Sequence, residues 1–142
     1  MTGSETARPS PGFSIELPLA LAAVETGRLA LLEYLGPMAL DDRVINRLEV
    51  VLEELVANVV RHADLASRLT LSATTTADGI DICLEDDGAE FNPLAAEENS
   101  PFDKLEDATI GGLGIPLIKR LTRSVEYERS GSLNRMRVVI AT

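Results

Sequence analysis

The chain alternates between short stretches of period two and longer stretches of helical period. "FSIEL" (Phe13 to Leu17) alternates apolar and polar side chains and predicts a short first strand. From about Leu19 to Leu35, Leu21, Val24, Leu29 and Leu32 recur at near-helical spacing, and Gly36-Pro37 ends that helix. A second helix is predicted from Asp41 or Asp42, either of which supplies a short acidic cap, to about His62. It would measure roughly 30 Å at a rise of about 1.5 Å per residue. "RLTLSATT" and "GIDICLED" alternate on either side of "ADG", a hairpin signal. "DDGAEFNP" is turn-like, and residues 94–110 are acidic and irregular, with Pro101 among them. "GGLGIPLIKRL" reads as a glycine turn opening a third helix, and "SVEYE" and "RMRVVIA" as two strands around a Ser-Gly turn. Helices grouped with antiparallel strands, without strict strand–helix–strand alternation, indicate an α+β two-layer sandwich. Residues 1–12 are expected to be a flexible tail and residues 13–142 one domain.

The middle helix poses a chemical question. Leu48, Leu52, Leu55 and Val59 fall on one stripe suited to packing on a sheet. Glu54 and Asn58, one turn apart, share a direction roughly a third of a turn from that stripe. They lie at the border of the core, where polar groups are costly unless something satisfies them. An isolated pair of this kind is ordinarily a solvated helix edge. Two later stretches offer it a partner. In "EDDGAEFNP", Asp86 ends an apolar strand and Gly88 allows a sharp turn after it, so the carboxylate can accept a hydrogen bond from a flat amino heterocycle. In "GGLGIPLIKRL", Gly111, Gly112 and Gly114 permit a close backbone approach, and the helix start offers free amides to an anion.

Composition narrows the classes. With 142 residues, 45% of them hydrophobic and 25% charged, the chain suits one globular domain. A net charge of −10 without any basic cluster argues against nucleic acid as a partner. No apolar run reaches the roughly 20 residues that cross a bilayer, and the first residues lack a signal pattern, so a cytoplasmic location without membrane contact is the expectation. One cysteine, Cys83, and one histidine, His62, make neither an internal disulfide nor a zinc site. Cys83 reads as strand filler. Neither a Gly-x-x-x-x-Gly-Lys-[Ser/Thr] loop nor a His-Arg-Asp or Asp-Phe-Gly set is present.

The order of the pieces is more specific than any one of them. Glu-x-x-x-Asn-x-x-x-His on a helix, Asp-x-Gly after a strand and a glycine-rich helix start resemble the ATP-binding fold of gyrase, histidine kinases and MutL, the GHKL superfamily. "ELVANVVRHA", "DDGAEFNP" and "GGLGI" are most similar to its single-domain branch, the anti-sigma factor serine kinases of bacterial partner-switching systems. The resemblance runs from Phe13 to the end. It implies the Bergerat fold, with a mixed, mostly antiparallel sheet. It also implies that Asn58 binds Mg²⁺, that Glu54 accepts a proton from the attacking hydroxyl, and that Asp86 reads the adenine amino group in a pocket shaped by Gly88. Gly112, Leu113 and Gly114 would lie against the phosphates of ATP. The wider superfamily often has a second glycine where Glu90 stands, a glycine that the serine-kinase branch commonly lacks.

The resemblance further implies a serine on a STAS-domain antagonist protein as substrate, with a sigma factor as a further partner and a homodimer as the typical assembly. Residues 94–110 correspond to the lid over the nucleotide. Glu97, Glu98, Asp103, Glu106 and Asp107 there face only one base, Lys104, so the lid is expected to be mobile and to turn its acids toward solvent or a basic partner. Two rivals stand beside the kinase: a non-catalytic module that holds a partner and uses nucleotide only to set its conformation, and a plain ATPase with water as acceptor.

Overall fold

The computed structural model describes residues 12–62, 65–95 and 114–142. The tail through Pro11, the acidic stretch from residue 96 onward, and Gly111, Gly112 and Leu113 lie outside the described residues. The elements in chain order are β1 (Phe13–Leu17), α1 (Ala22–Leu35), a short 3₁₀ turn (Gly36–Met38), α2 (Asp42–His62), β2 (Leu69–Thr76), β3 (Gly79–Asp86), α3 (Gly114–Leu121), β4 (Ser124–Ser130) and β5 (Leu133–Ile140). The strands form one sheet in the order β1-β2-β3-β5-β4. Every pairing is antiparallel, so the mixed sheet implied by the resemblance has no parallel pair among the described strands.

The helices cover one face of the sheet. Leu69, Leu71 and Ala73 of β2, Ile80, Ile82 and Leu84 of β3, and Met136, Val138 and Ile140 of β5 point into the core at alternate positions. They meet the stripe of α2 that the period predicted: Leu48, Leu52, Leu55 and Val59, widened by Val44, Val51 and Val56. Asp41 is the residue that caps α2, with its carboxylate accepting the Arg43 N–H at 2.9 Å. Phe13 and Tyr34 stack with ring centroids 5.2 Å apart, fastening β1 to the end of α1.

α1 departs from expectation. Its buried positions are Ala23, Gly27, Leu31 and Leu35, whereas Leu21 and Leu29 are largely exposed and Val24 and Leu32 half-buried. A Cβ on Gly27 would lie 3.2 Å from Leu71 and 3.5 Å from Leu52. The first half of the helix therefore approaches the sheet and α2 so closely that only small residues fit there, with Leu31 and Leu35 filling the seam further along and Leu21 and Leu29 turned to the flanks. The helix also starts three residues later than the period suggested, since nothing at Leu21 caps it through a side chain.

The β2–β3 hairpin closes through Ala77 and Asp78, with Thr76 paired to Gly79. Gly79 has φ +135°, and a Cβ there would lie 2.1 Å from the Ile140 carbonyl oxygen. Only glycine fits. The other sheet face is polar: Thr70, Glu85, Arg135 and Glu128 form one cross-strand row, and Ser72, Cys83, Arg137 and Glu126 the next. Arg137 grips Asp81 through two nitrogens, and Arg135 pairs with Glu85 and Glu128. A shallow concavity of about 320 Å³ lies over these pairs.

Candidate functional site

Asn58 and Asp86, two of the site residues expected from the sequence, meet in one pocket at one end of the helix-covered face, whereas Glu54, Gly88 and Gly114 are not among its lining. Asn58, Val59 and His62 come from the C-terminal half of α2, Asp86 from the end of β3, Phe91 and Pro93 from the loop after it, and Tyr127, Asn134 and Met136 from β4 and β5. Together they line one pocket. The larger concavity on the open sheet face is a weaker candidate, because its Asp81–Arg137 and Glu85–Arg135 charges already satisfy one another.

Asp86 occupies an inward position, paired across the ladder with Leu69 and Asn134, and is 5% exposed. One of its oxygens, Oδ1, accepts the Gly88 N–H at 2.8 Å and the Asn134 side-chain N–H at 3.0 Å. Among the described residues Oδ2 takes no hydrogen bond, which leaves an acceptor for a ligand in the pocket. Gly88 does not use a left-handed backbone; positive φ among the described glycines is confined to Gly79 and Gly131. The turn is held by the Asp86 side chain instead. Gly88 also offers its carbonyl to Arg129 Nη1 at 2.9 Å.

His62 stacks on Phe91, with ring centroids 4.4 Å apart and planes 21° from parallel, which makes it a wall of the pocket as well as a helix end. Asn92 caps the turn at residues 93–95 by accepting the Leu94 N–H at 2.9 Å. On the neighbouring side, Asp87 accepts from Ser67 Oγ at 2.6 Å and from the Ser67 and Arg68 amides at 2.7 and 2.9 Å. These bonds, led by the Ser67 hydroxyl, hold its carboxyl at a pKa of about 2.

Glu54 and Asn58 lie on the same side of α2, both half-buried. Gly114, at the start of α3, is buried so closely against Glu54 that a Cβ there would stand 2.8 Å from Glu54 Oε1. The α2 carboxylate and the glycine-rich helix start are therefore direct neighbours. Burial pushes the Glu54 carboxyl above the ordinary glutamate range, the charge of Glu53 adds to this, and Arg61 opposes it.

The residues fit a magnesium nucleotide. Asn58 Nδ2 is the one buried side-chain polar atom among the described residues without a hydrogen-bond partner. An amide with an unbonded buried end loses little by turning its oxygen toward a cation, and Mg²⁺ accepts a single protein oxygen beside water and phosphate. Gly114 lacks the side chain that would separate the α3 start from Glu54.

Asn134 and Tyr127 are site residues that the sequence reading missed. Asn134 shares its face with Met136, Val138 and Ile140, so a polar residue in an inward-facing alternation was the available signal. The apolar alternation by itself marks the strand only from Arg135, whereas β5 begins at Leu133 and includes Asn134.

Comparison with known proteins gives the family and the fold. Residues 17–140 match the family model of the histidine kinase-like ATPase domain. The serine-protein kinase RsbW of Listeria monocytogenes is 28% identical over 121 residues, covering 80% of this chain and 77% of that protein. The serine/threonine-protein kinase BtrW of Bordetella bronchiseptica is 29% identical over 127 residues, covering 83% and 88%. Among solved structures, the RsbU and RsbW domains of Rv1364c from Mycobacterium tuberculosis superpose with TM-score 0.64 at 17% identity. That match covers 94% of this chain, which spans 33% of the other. The SiaB-SiaC complex from Pseudomonas aeruginosa gives TM-score 0.62 at 18% identity, over 96% of this chain and 95% of that one. At such identities the structural matches speak for the fold alone. A family model matched over nearly all of the described sheet and helices places the protein: the chain belongs to the histidine kinase-like ATPase domain family.

Proposed function

We propose that the protein is an ATP- and Mg²⁺-dependent serine kinase of a bacterial partner-switching system, acting in the cytoplasm. In this reading it phosphorylates a serine on a STAS-domain antagonist and holds a sigma factor or another target until that antagonist binds. The names of its relatives support the kinase assignment, and the SiaB-SiaC neighbour is itself a complex of two proteins.

The observation that carries the reading is the position of Glu54. It stands one turn before Asn58 on α2 and against Gly114 at the start of α3. Partial burial raises its affinity for a proton, which suits a general base. Glu54 takes the proton of the seryl hydroxyl as the seryl oxygen bonds to the γ-phosphorus; the bond from that phosphorus to the β–γ bridging oxygen breaks and ADP leaves. Asp86 Oδ2 accepts the adenine amino group, and the α3 start lies against the phosphates. Asn58 holds Mg²⁺, which supplies charge neutralisation on the phosphate oxygens. A carboxylate beside phosphates adds nothing to pure binding, so Glu54 favours chemistry over the partner-holding module.

The test is incubation with γ-labelled ATP, magnesium and a STAS-domain protein from the same organism. Label on a serine of the partner is the expected result. Free phosphate alone would make the protein an ATPase, and no transfer of either kind would leave a binding module.

A further inference from the structure

The most densely bonded polar side chain in the pocket is one to which the kinase reading gives no task. Asn134 is 5% exposed and makes five hydrogen bonds. Its Oδ1 accepts from the Phe91 N–H at 3.2 Å, the Tyr127 hydroxyl at 2.6 Å and Arg129 Nη1 at 3.1 Å. Its Nδ2 donates to Asp86 Oδ1 at 3.0 Å and to the Ala89 carbonyl at 2.8 Å. The amide orientation is fixed by this chemistry. A flip would turn the NH₂ group against two obligatory donors, the Phe91 N–H and Arg129 Nη1, and the oxygen against two acceptors.

The arrangement acts on Asp86. Both donors to that carboxylate, the Gly88 N–H and Asn134 Nδ2, meet the same oxygen. Two donors on Oδ1 fix the plane of the carboxylate and reserve Oδ2 for the pocket. With Gly88 alone, the group could pivot about one bond. Asn134 also ties the pocket's far wall together, since Phe91 and Ala89 lie in the loop after β3 and Tyr127 and Arg129 on β4. Arg129 reinforces the same loop at the Gly88 carbonyl.

We infer that Asn134 is a positioning residue for base selection: by holding Oδ1 of Asp86, it presents Oδ2 as the acceptor that distinguishes a purine bearing a 6-amino group from one bearing a 6-oxo group. This rests on the nucleotide reading of the pocket and adds to it the determinant of which purine is taken. A site built to accept a hydrogen bond rejects an analogue that cannot donate one, and a 6-oxo group sets acceptor against acceptor.

The test is calorimetric binding of Mg-ATP and of Mg-inosine triphosphate, which carries oxygen in place of the 6-amino group. The natural protein should prefer ATP on the order of 10- to 100-fold, the range for a hydrogen bond to a charged acceptor. Asn134→Leu should reduce that preference to below about threefold, with ATP falling to the affinity of the inosine nucleotide. Asn134→Asp keeps size and shape but turns both donors into acceptors, and should erase the preference as well. It serves if the leucine variant does not fold. A merely structural role would weaken both nucleotides alike. Asn134 variants that bind ATP and retain the ratio would therefore overturn the inference while leaving the nucleotide site intact. A natural protein that binds neither nucleotide would instead overturn the site reading itself.

Discussion

Replacing Gly114 with alanine isolates the contact on which the kinase chemistry depends. The new Cβ would stand 2.8 Å from Glu54 Oε1, which is 0.6 Å short of the 3.4 Å at which ordinary contact begins. The obstructed atom is the far end of a flexible side chain, so the carboxylate moves and the backbone stays. Fold stability should be unchanged or slightly raised, because alanine exceeds glycine by up to about 1 kcal/mol in a helix. Activity is another matter. A general base must hold its hydrogen-bond geometry, and a displacement of about 1 Å can cost on the order of 100-fold. A shift of about 0.6 Å should then lower the rate of phosphotransfer roughly 10- to 100-fold, or about 1.4–2.8 kcal/mol of transition-state stabilisation. The assay is single-turnover transfer from labelled ATP to the STAS protein, run on Gly114→Ala, Glu54→Gln and the double variant. If the alanine acts through Glu54, it should cost nothing further once Glu54 is glutamine, so the cycle shows a coupling close to the whole single-mutant effect. Additive losses would refute the reasoning and assign Gly114 to nucleotide contact alone.

Other expectations follow from the same geometry. Because burial raises the Glu54 pKa, the rising limb of the pH–rate profile should lie above the ordinary glutamate range and vanish in Glu54→Gln. A carboxyl with a raised folded pKa binds its proton more tightly in the folded state, so its ionisation weakens folding as pH rises; Glu54→Gln should melt slightly higher at neutral pH. Asp87 has the opposite sign. Its pKa of about 2 means that its support for the Ser67–Arg68 loop is complete above the unfolded value and lost as pH falls toward 2. The melting-temperature gap between the natural protein and Asp87→Asn should therefore be constant above about pH 4 and close below it; a gap independent of pH would count against the assignment. Gly79→Ala combines a positive φ with a collision at the Ile140 carbonyl, and chemical denaturation should show a loss of roughly 2–4 kcal/mol.

What the sequence disclosed depended on how strongly each pattern was constrained. The α2 stripe was legible because Leu48, Leu52, Leu55 and Val59 are large, apolar and regularly spaced. α1 misled for a physical reason. The first half of its contact face is built of Ala23 and Gly27, which carry little hydropathy signal, while Leu21 and Leu29 are large and exposed. Size of side chain and depth of burial part company wherever a helix lies very close to its neighbours. Asp86 was found from its strand end and its turn, but the turn is held by a side-chain bond, with no special glycine backbone. Asn134 and Tyr127 escaped because their role arises from pairings between β3, β4 and β5 that no local window contains. Gly112 and Leu113 lie outside the described residues.

One consequence follows from the double duty of α2. The helix that carries Glu54 and Asn58 also supplies seven fully or nearly buried residues to the core, from Val44 to Val59. Those two polar groups are thus bolted to the most immobile beam of the molecule and cannot be retuned without loosening everything above them. Their backbone amides should surrender deuterium only when the entire chain opens. In mechanical terms α2 is the anvil of the site.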